Sequence, residues 1–341
     1  MSVFDKKNWN GEVFQKYLDT VPRVKQNALL KSGVLRTRSD LKNLLRDQVG
    51  GNYIRMPIVG RIGGDVLNYD GATNITATGL GTYLQSAIVF GRAKAWQEYD
   101  FTQDITGKNF MEEIAKQVAD YWDDVDQTDL LSVLTGIFGV GTTAGGFSAT
   151  HTYDITEAVS AADRVVGAAT LNNAIQQAAG AMKNQFTMVI MHSAVATNLE
   201  NLQLLEFWKQ NDANGVQRPT NLASWNGKTV MIDDDLVDTS GSDPVYTTYV
   251  LGRNAIDYCD CGVKVPNETK RDELTAGGID MLITRQRHLL APVGFSYVDT
   301  TKVSPMASDL ATAANWAVVT DTDSNPYPLS AIPIARIKSL G

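Results

Sequence analysis

Three short motifs place residues that could do nucleotide or metal chemistry. Gly227-Lys228-Thr229, followed by Asp233-Asp234-Asp235, has the ending of a phosphate-cradling loop and the acidic partner that would hold its metal. That loop also needs glycine five positions before Gly227, where leucine stands at 222, and it must open a helix. Here a strand-forming run follows at once, so the motif reads as a turn that leads a strand. Gly139-Val140-Gly141-Thr142-Thr143-Ala144 fits a loose dinucleotide fingerprint, whose chemistry requires a strand before it and a helix N-terminus after it. A helical pattern precedes it, and a flexible loop is the better reading. Asp321-Thr322-Asp323-Ser324-Asn325 begins like a calcium loop, but Pro326 stands where the sharp turn demands glycine and Ile332 where a bidentate glutamate belongs. It reads as a polar turn.

Thiols and imidazoles offer no more. Cys259 and Cys261 would point the same way on a strand, and with His288 they make a partial zinc site that lacks an evident fourth ligand. Buried structural thiols are the simpler account. His151, His192 and His288 are far apart in sequence, no nucleophile elbow occurs, and no nucleophile can be matched to a base. His192, directly after an apolar run, suits a packed or capping role. The expectation is a protein without enzymatic activity, cofactor or metal.

The elements around these motifs are more informative. Phe110, Ile114, Val118, Tyr121, Val125, Leu131, Leu134 and Phe138 recur mostly three or four apart, which draws one stripe along a helix over residues 109–138. Asn109 with Glu112 offers a reciprocal N-cap, and Gly139 and Gly141 end the pattern. Some 30 residues at 1.5 Å each make a rod of about 45 Å, long enough to act as a spine for several layers. Before it, residues 53–59 and 83–96 read as two extended runs around a polar, Gly-rich stretch at 60–81: a long hairpin. A two-stranded ribbon has no core of its own, so Tyr53, Ile54, Ile58, Tyr83, Leu84, Ile88 and Phe90 are expected to pack on a neighbouring subunit. The first fifty residues read as short helices broken by Pro22 and Gly33. After the spine come an Ala-rich helix at 170–183, a buried strand at 186–191, and a helix at 193–208 capped by Ser193. Strands at 228–232, 245–251, 279–290, 293–298 and 316–319 complete the pattern.

Composition and charge set limits. A chain of 341 residues, 43% hydrophobic, can bury a large core in two or three lobes. No run reaches the roughly 18 apolar residues of a membrane-spanning helix, and the first residues lack the apolar segment of a signal peptide. Two cysteines are too few for a disulfide framework, which suits synthesis in a reducing cytoplasm. Residues 1–61 hold twelve Lys/Arg against five Asp/Glu, a net of +7, so the remainder carries −15 of the overall −8. Residues 117–163 contain eight acids and neither lysine nor arginine. The basic segment, with Arg23, Lys25, Arg36 and Arg38, is expected to lie against the acidic spine face at Asp120, Asp123 and Asp124. An acidic body argues against condensing a genome on basic patches.

The order of these parts resembles the Hong Kong 97-type family of tailed-phage major capsid proteins over most of the chain. The resemblance is carried by Trp96-Gln97-Glu98-Tyr99-Asp100 leading into the spine, and by the strand-to-helix unit from Phe186 to Leu199. It is carried also by Trp225-Asn226-Gly227-Lys228 through Asp233, with Tyr249-Val250-Leu251-Gly252 after it, and by the closing segments at 307–316 and 332–338. It implies an α+β fold: an N-terminal arm (1–50), an extended β-hairpin loop (51–100), a long spine helix (101–138), a mixed α/β apical domain (mostly 139–275), and a returning peripheral sheet with the C-terminal segment (276–341). It further implies a structural protein of the virion that assembles through pentamers and hexamers into an icosahedral shell around double-stranded DNA, inside the host cytoplasm. Portal and scaffolding proteins are the implied partners, and no membrane is involved. No scaffolding segment is recognisable before the arm, which suits a separate scaffold or a propeptide already removed. An encapsulin-type nanocompartment shares the fold and stays open as an alternative; a nucleotide-dependent α/β enzyme is less favoured.

Overall fold

The computed structural model describes residues 33–46, 52–60, 66–70, 74, 82–101, 110–211, 217–321 and 324–341. Its spine is one α-helix, Phe110–Ile137, as the apolar spacing predicts. The expected cap at Asn109 and Glu112 lies outside the residues and side chains described. Val118, Ala119 and Trp122 bury against Leu282, whereas Tyr121 is exposed, so the stripe runs through Trp122. Farther along, Leu130, Leu131, Val133, Leu134 and Ile137 are all buried. Here the apolar face of the helix widens, because two sheets meet it, and Thr128, Ser132 and Thr135 line the side that faces water.

The first sheet has six strands. β1 (Leu35–Thr37), β11 (Ile256–Asp260), β13 (Ile279–Pro292), β3 (Thr82–Tyr99) and β2 (Tyr53–Val59) lie in that order, and β12 (Asn267–Asp272) also pairs with β13. β3 is long enough to serve twice. Its first half pairs antiparallel with β2, and its second half with β13 from Val89↔Leu289 to Tyr99↔Ile279. Side chains alternate between the faces. Ile88 and Phe90 join the core under the spine, while Ala87 and Val89 join Cys259, Cys261, Leu289 and Ala291 on the other face, with Leu41 from the helix Ser39–Arg46. The arm is therefore not helical throughout; residues 35–37 add a parallel strand to β11.

The second sheet has eight strands: β4 (Thr152–Asp154), β16 (Ile334–Ser339), β10 (Val245–Gly252), β5 (Phe186–Met191), β8 (Lys228–Ile232), β7 (Gln217–Trp225) and β6 (Leu205–Asn211), with β9 (Val237–Asp238) on β10. Period-2 alternation divides it cleanly. Met188, Ile190, Tyr249, Leu251 and Ile334 face the spine, while Val189, Met191, Val250, Ala335 and Ile337 face the helices Thr170–Ala179 and Ser193–Asn201. Each fully buried aliphatic side chain of this size contributes about 1.5–3 kcal/mol.

Three expectations need correction. The helix from 193 does not reach 208: Gln203 takes φ 56°, Leu204 N–H turns back to Leu199 O at 2.9 Å, and β6 follows. Its cap is not Ser193 but His192, whose Nδ1 accepts from Ala194 N at 3.0 Å. Nor do the strands divide at 275. β11 and β12 belong to the six-stranded sheet, and β16, near the end of the chain, lies inside the eight-stranded one. Hydrogen-bond partners in a sheet are chosen across the whole fold, so a boundary read along the chain misplaces them.

The segment before β16 locks the spine. β14 (Phe295–Tyr297) pairs with β15 (Trp316–Val318), and Trp316 Nε1 donates to Leu310 O at 2.7 Å. This contact presses on the helix at Gly136, where an added Cβ would collide with Leu310 O and stand 2.7 Å from Trp316 Nε1. Gly136→Ala should therefore destabilise the chain by about 2 kcal/mol, because overpacking outweighs the roughly 1 kcal/mol that alanine gains in helix propensity. Urea denaturation checks the sign; a more stable variant would show that this junction has slack.

Candidate assembly surfaces

The hairpin brings its expected residues together, but on two different sides. In register, Tyr53 faces Ile88, Pro57 faces Leu84, Ile58 faces Tyr83 and Val59 faces Thr82. Ile88 and Phe90, at 3% and 1% exposure, are inside the subunit's own core. Tyr83 is buried edge-on against Tyr327, with ring centroids 5.3 Å apart. Tyr53 is half-buried and its hydroxyl donates to Tyr297 O. Ile54 packs on the cluster around Cys259, and Ile58 is half-buried. The expectation that all seven contact a neighbour is corrected: Ile88, Phe90 and Tyr83 are core residues, because β14 and β13 cover the base of the ribbon. Among the described residues nothing covers the outer face. Leu84 is 59% exposed and Val59 64%, and beyond them Val66 and Tyr69 reach 97% and 91%. Val66 and Tyr69 were missed because the stretch at 60–81 reads as polar. Their apolar side chains within it were the available signal.

The charged residues find other partners than expected. Arg36 makes a bidentate pair with the buried Asp257, Nε–Oδ1 at 2.5 Å and Nη2–Oδ2 at 2.7 Å. Arg38 shares Asp257 at 3.3 Å and pairs with Asp40 at 2.7 Å, a hydrogen bond that holds the Asp40 carboxyl down at about 2. These two cations thus clip β1 to β11 and do not reach the spine. Arg23 and Lys25 lie outside the described residues. On the spine, Asp120 and Asp124 are exposed and Asp123 is buried. The acidic helix is tied down farther along: Arg92 of β3 grips Asp129 at 2.8 and 3.1 Å and also donates to Pro305 O at 2.8 Å. Gln127 Nε2 reaches Asp233 Oδ2 at 2.5 Å, and Trp122 Nε1 donates to Thr284 Oγ1 at 3.1 Å.

The tempting motifs resolve into structure. Asn226 and Gly227, both at positive φ, form the two-residue turn that joins β7 to β8, and Lys228 Nζ donates to the backbone of Phe186 at 3.2 Å. Gly141 has φ 66°, and a Cβ on Gly139 would collide with Ala313. Cys259 and Cys261 are buried on the face opposite His288, whose Nδ1 lies 3.1 Å from the Tyr258 hydroxyl and whose Nε2 lies 3.5 Å from Asp126. Among the described residues no cluster of three metal-binding side chains occurs.

An α+β architecture with two sheets on one spine and a β2–β3 ribbon paired into the first sheet defines a class: the chain has the Hong Kong 97-type fold of phage capsid shell proteins. Solved structures support this. The capsid of Helicobacter pylori bacteriophage KHP30 matches with TM-score 0.53 at 12% identity, over 90% of this chain and 86% of that one. The cyanophage Pam1 capsid matches with TM-score 0.52 at 12% identity, over 91% and 90%. The capsid of Ralstonia phage GP4 gives 0.52 at 11% identity, over 77% and 84%. In sequence, the chain is similar to the major capsid protein of Bacillus phage SPP1, 27% identical over 315 residues, 91% of this chain and 92% of that protein. No protein-family profile matches.

His151 carries a pH dependence. It is buried, stacked on Phe147 with centroids 4.5 Å apart, and Thr150 Oγ1 lies 2.9 Å from its Nδ1. Burial drives its pKa down to about 4, against the opposing effect of the Leu329 and Phe147 backbone. The unfolded imidazole takes a proton near 6.5, so stability is full above that pH and falls as pH drops toward 4, by up to roughly 3 kcal/mol. Urea melts at pH 7.5 and 4.5 should show a larger loss for the wild type than for His151→Gln. Equal losses would refute the assignment.

Proposed function

We propose that this chain is a major capsid protein: a structural, non-enzymatic subunit that assembles with many copies of itself into a closed icosahedral shell. The observation that carries this reading is the hairpin, rooted in the subunit's core yet presenting Val59, Leu84, Val66 and Tyr69 with none of the described residues covering them. Apolar surface of this kind, repeated on every copy, supplies weak contacts that become strong in number. On this reading Val59, Leu84, Ile54 and Ile58 contact the neighbouring subunit, as do Asp120 and Asp124 on the spine. The six-stranded sheet with the spine then forms a peripheral layer, and the eight-stranded sheet an apical one. Pentamers and hexamers, assembly in the host cytoplasm, portal and scaffolding partners, and DNA held without sequence-specific contacts complete the proposal. The net charge of −8 suits a shell that encloses DNA without condensing it.

Deleting residues 62–80 should leave a folded, soluble body that no longer closes into shells, because Tyr83, Ile88 and Phe90 keep the base of the hairpin in place. Circular dichroism and electron microscopy check both halves. Normal particles would make the hairpin a decoration, and an unfolded product would make its tip part of the core.

Pure protein should show no ATP turnover. Turnover that disappears in Lys228→Ala would overturn both the structural role and the reading of Asn226-Gly227 as a simple turn.

A further inference from the structure

A groove of about 510 Å³ lies where the end of the spine meets the edge of the eight-stranded sheet, lined by Phe138, Thr142, Ser148, Thr152, Arg336 and Lys338 among others. Its geometry follows from register. β16 pairs parallel with the short edge strand β4, Arg336 opposite Thr152 and Lys338 opposite Asp154. Residues two apart on a strand share a face, so both cations point to the same side. The half-buried Arg336 guanidinium lies 4.5 Å over the Phe138 ring. Its Nε and Nη2 donate to Thr152 Oγ1 at 3.2 and 3.0 Å, and Nη2 reaches Ser148 Oγ at 3.4 Å. Tyr249 stands opposite Arg336 on the neighbouring strand, and its hydroxyl favours the charge.

Every one of these partners is neutral. Arg36, Arg92, Arg271 and Arg285 each hold a carboxylate within 3.1 Å, but among the described residues Arg336 has no ion pair. Asp154 is near enough to favour the charge, yet its Oδ1 already accepts from Thr156 N at 3.0 Å and Thr156 Oγ1 at 2.7 Å. A cation drawn out of water against hydroxyls and a ring keeps its demand for an anion. A guanidinium meets that demand best with two oxygens of one planar or tetrahedral group.

We propose that this groove binds a single oxyanion, a carboxylate or a phosphate group, gripped by Arg336, with Lys338 at the half-exposed mouth and the Ser148 and Thr142 hydroxyls beside it. The flanking Asp154 and the net charge of −8 disfavour a polyanion and suit one isolated group. That group comes either from an acidic side chain of a second copy of the chain or from free anion in solution. The site stands on this groove alone, whether or not the chain builds shells.

Inorganic phosphate is the probe. Titrated into unassembled chain at ionic strength matched with sodium chloride, it should raise the melting temperature saturably and give a binding isotherm by calorimetry. Arg336→Gln should abolish the effect. Should that variant fold poorly, Lys338→Gln keeps the test alive and should weaken binding about fivefold, the loss of one charge-assisted contact at a wet site. Binding to unassembled chain but not to particles would assign the oxyanion to a neighbouring copy; binding to both would make it a free anion. No saturable binding, binding unaltered by Lys338→Gln, or binding only in particles would overturn the assignment.

Discussion

The second half of the spine helix buries a wide apolar face between the two sheets, and the rest of the molecule depends on that burial. Leu130, Val133, Leu134, Ile137 and Phe138 share one core with Phe90 and Ile256 of the first sheet and with Met188, Tyr249 and Ile334 of the second. Neither sheet could bury its inner face without the helix, and the helix could not bury so wide an apolar face against one sheet alone. A helix with a wide apolar face and one narrow polar stripe, at Asp124, Thr128, Ser132 and Thr135, is what a rod packed between two layers and open on one side requires.

Polar contacts then fix how the layers sit on that rod. Hydrophobic burial is nondirectional, so it does not choose a rotation or a register. The directed contacts do: Arg92 to Asp129 and Trp122 to Thr284 tie the spine to the first sheet, and Gln127 to Asp233 ties it to the second. Burying an ion pair such as Arg92–Asp129 gains little net energy, since desolvation offsets attraction. Its effect is on geometry, because a slipped spine would leave a buried charge without its partner. The arm is placed by the same logic, with Arg36 and Arg38 converging on the buried Asp257.

The hairpin depends on this fixed frame. Its base is held by β13, by the Tyr53 and Tyr83 contacts and by Ser86 N donating to Ser296 Oγ at 3.0 Å. A ribbon anchored so firmly at one end presents the Val59–Leu84 face at a defined place. A contact made by a rooted ribbon loses less conformational entropy than one made by a free loop, which matters when each pairwise contact is weak.

The sequence by itself determined whatever a short window encodes. The spine is legible from 3.6-residue spacing, β2, β3 and β5 from their extended apolar runs, and the turn at Asn226-Gly227 from its dipeptide. Only the tertiary structure decided which sheet received β11 and β16, which acid received Arg36, and which face of the hairpin stayed in water. Those outcomes join residues far apart in the chain, Arg36 to Asp257 across 221 positions. No local pattern distinguishes Asp257 from Asp120 or Asp124 as a partner for an arginine. The choice falls to the acid whose burial leaves it most in need of a cation, and burial is a property of the assembled layers.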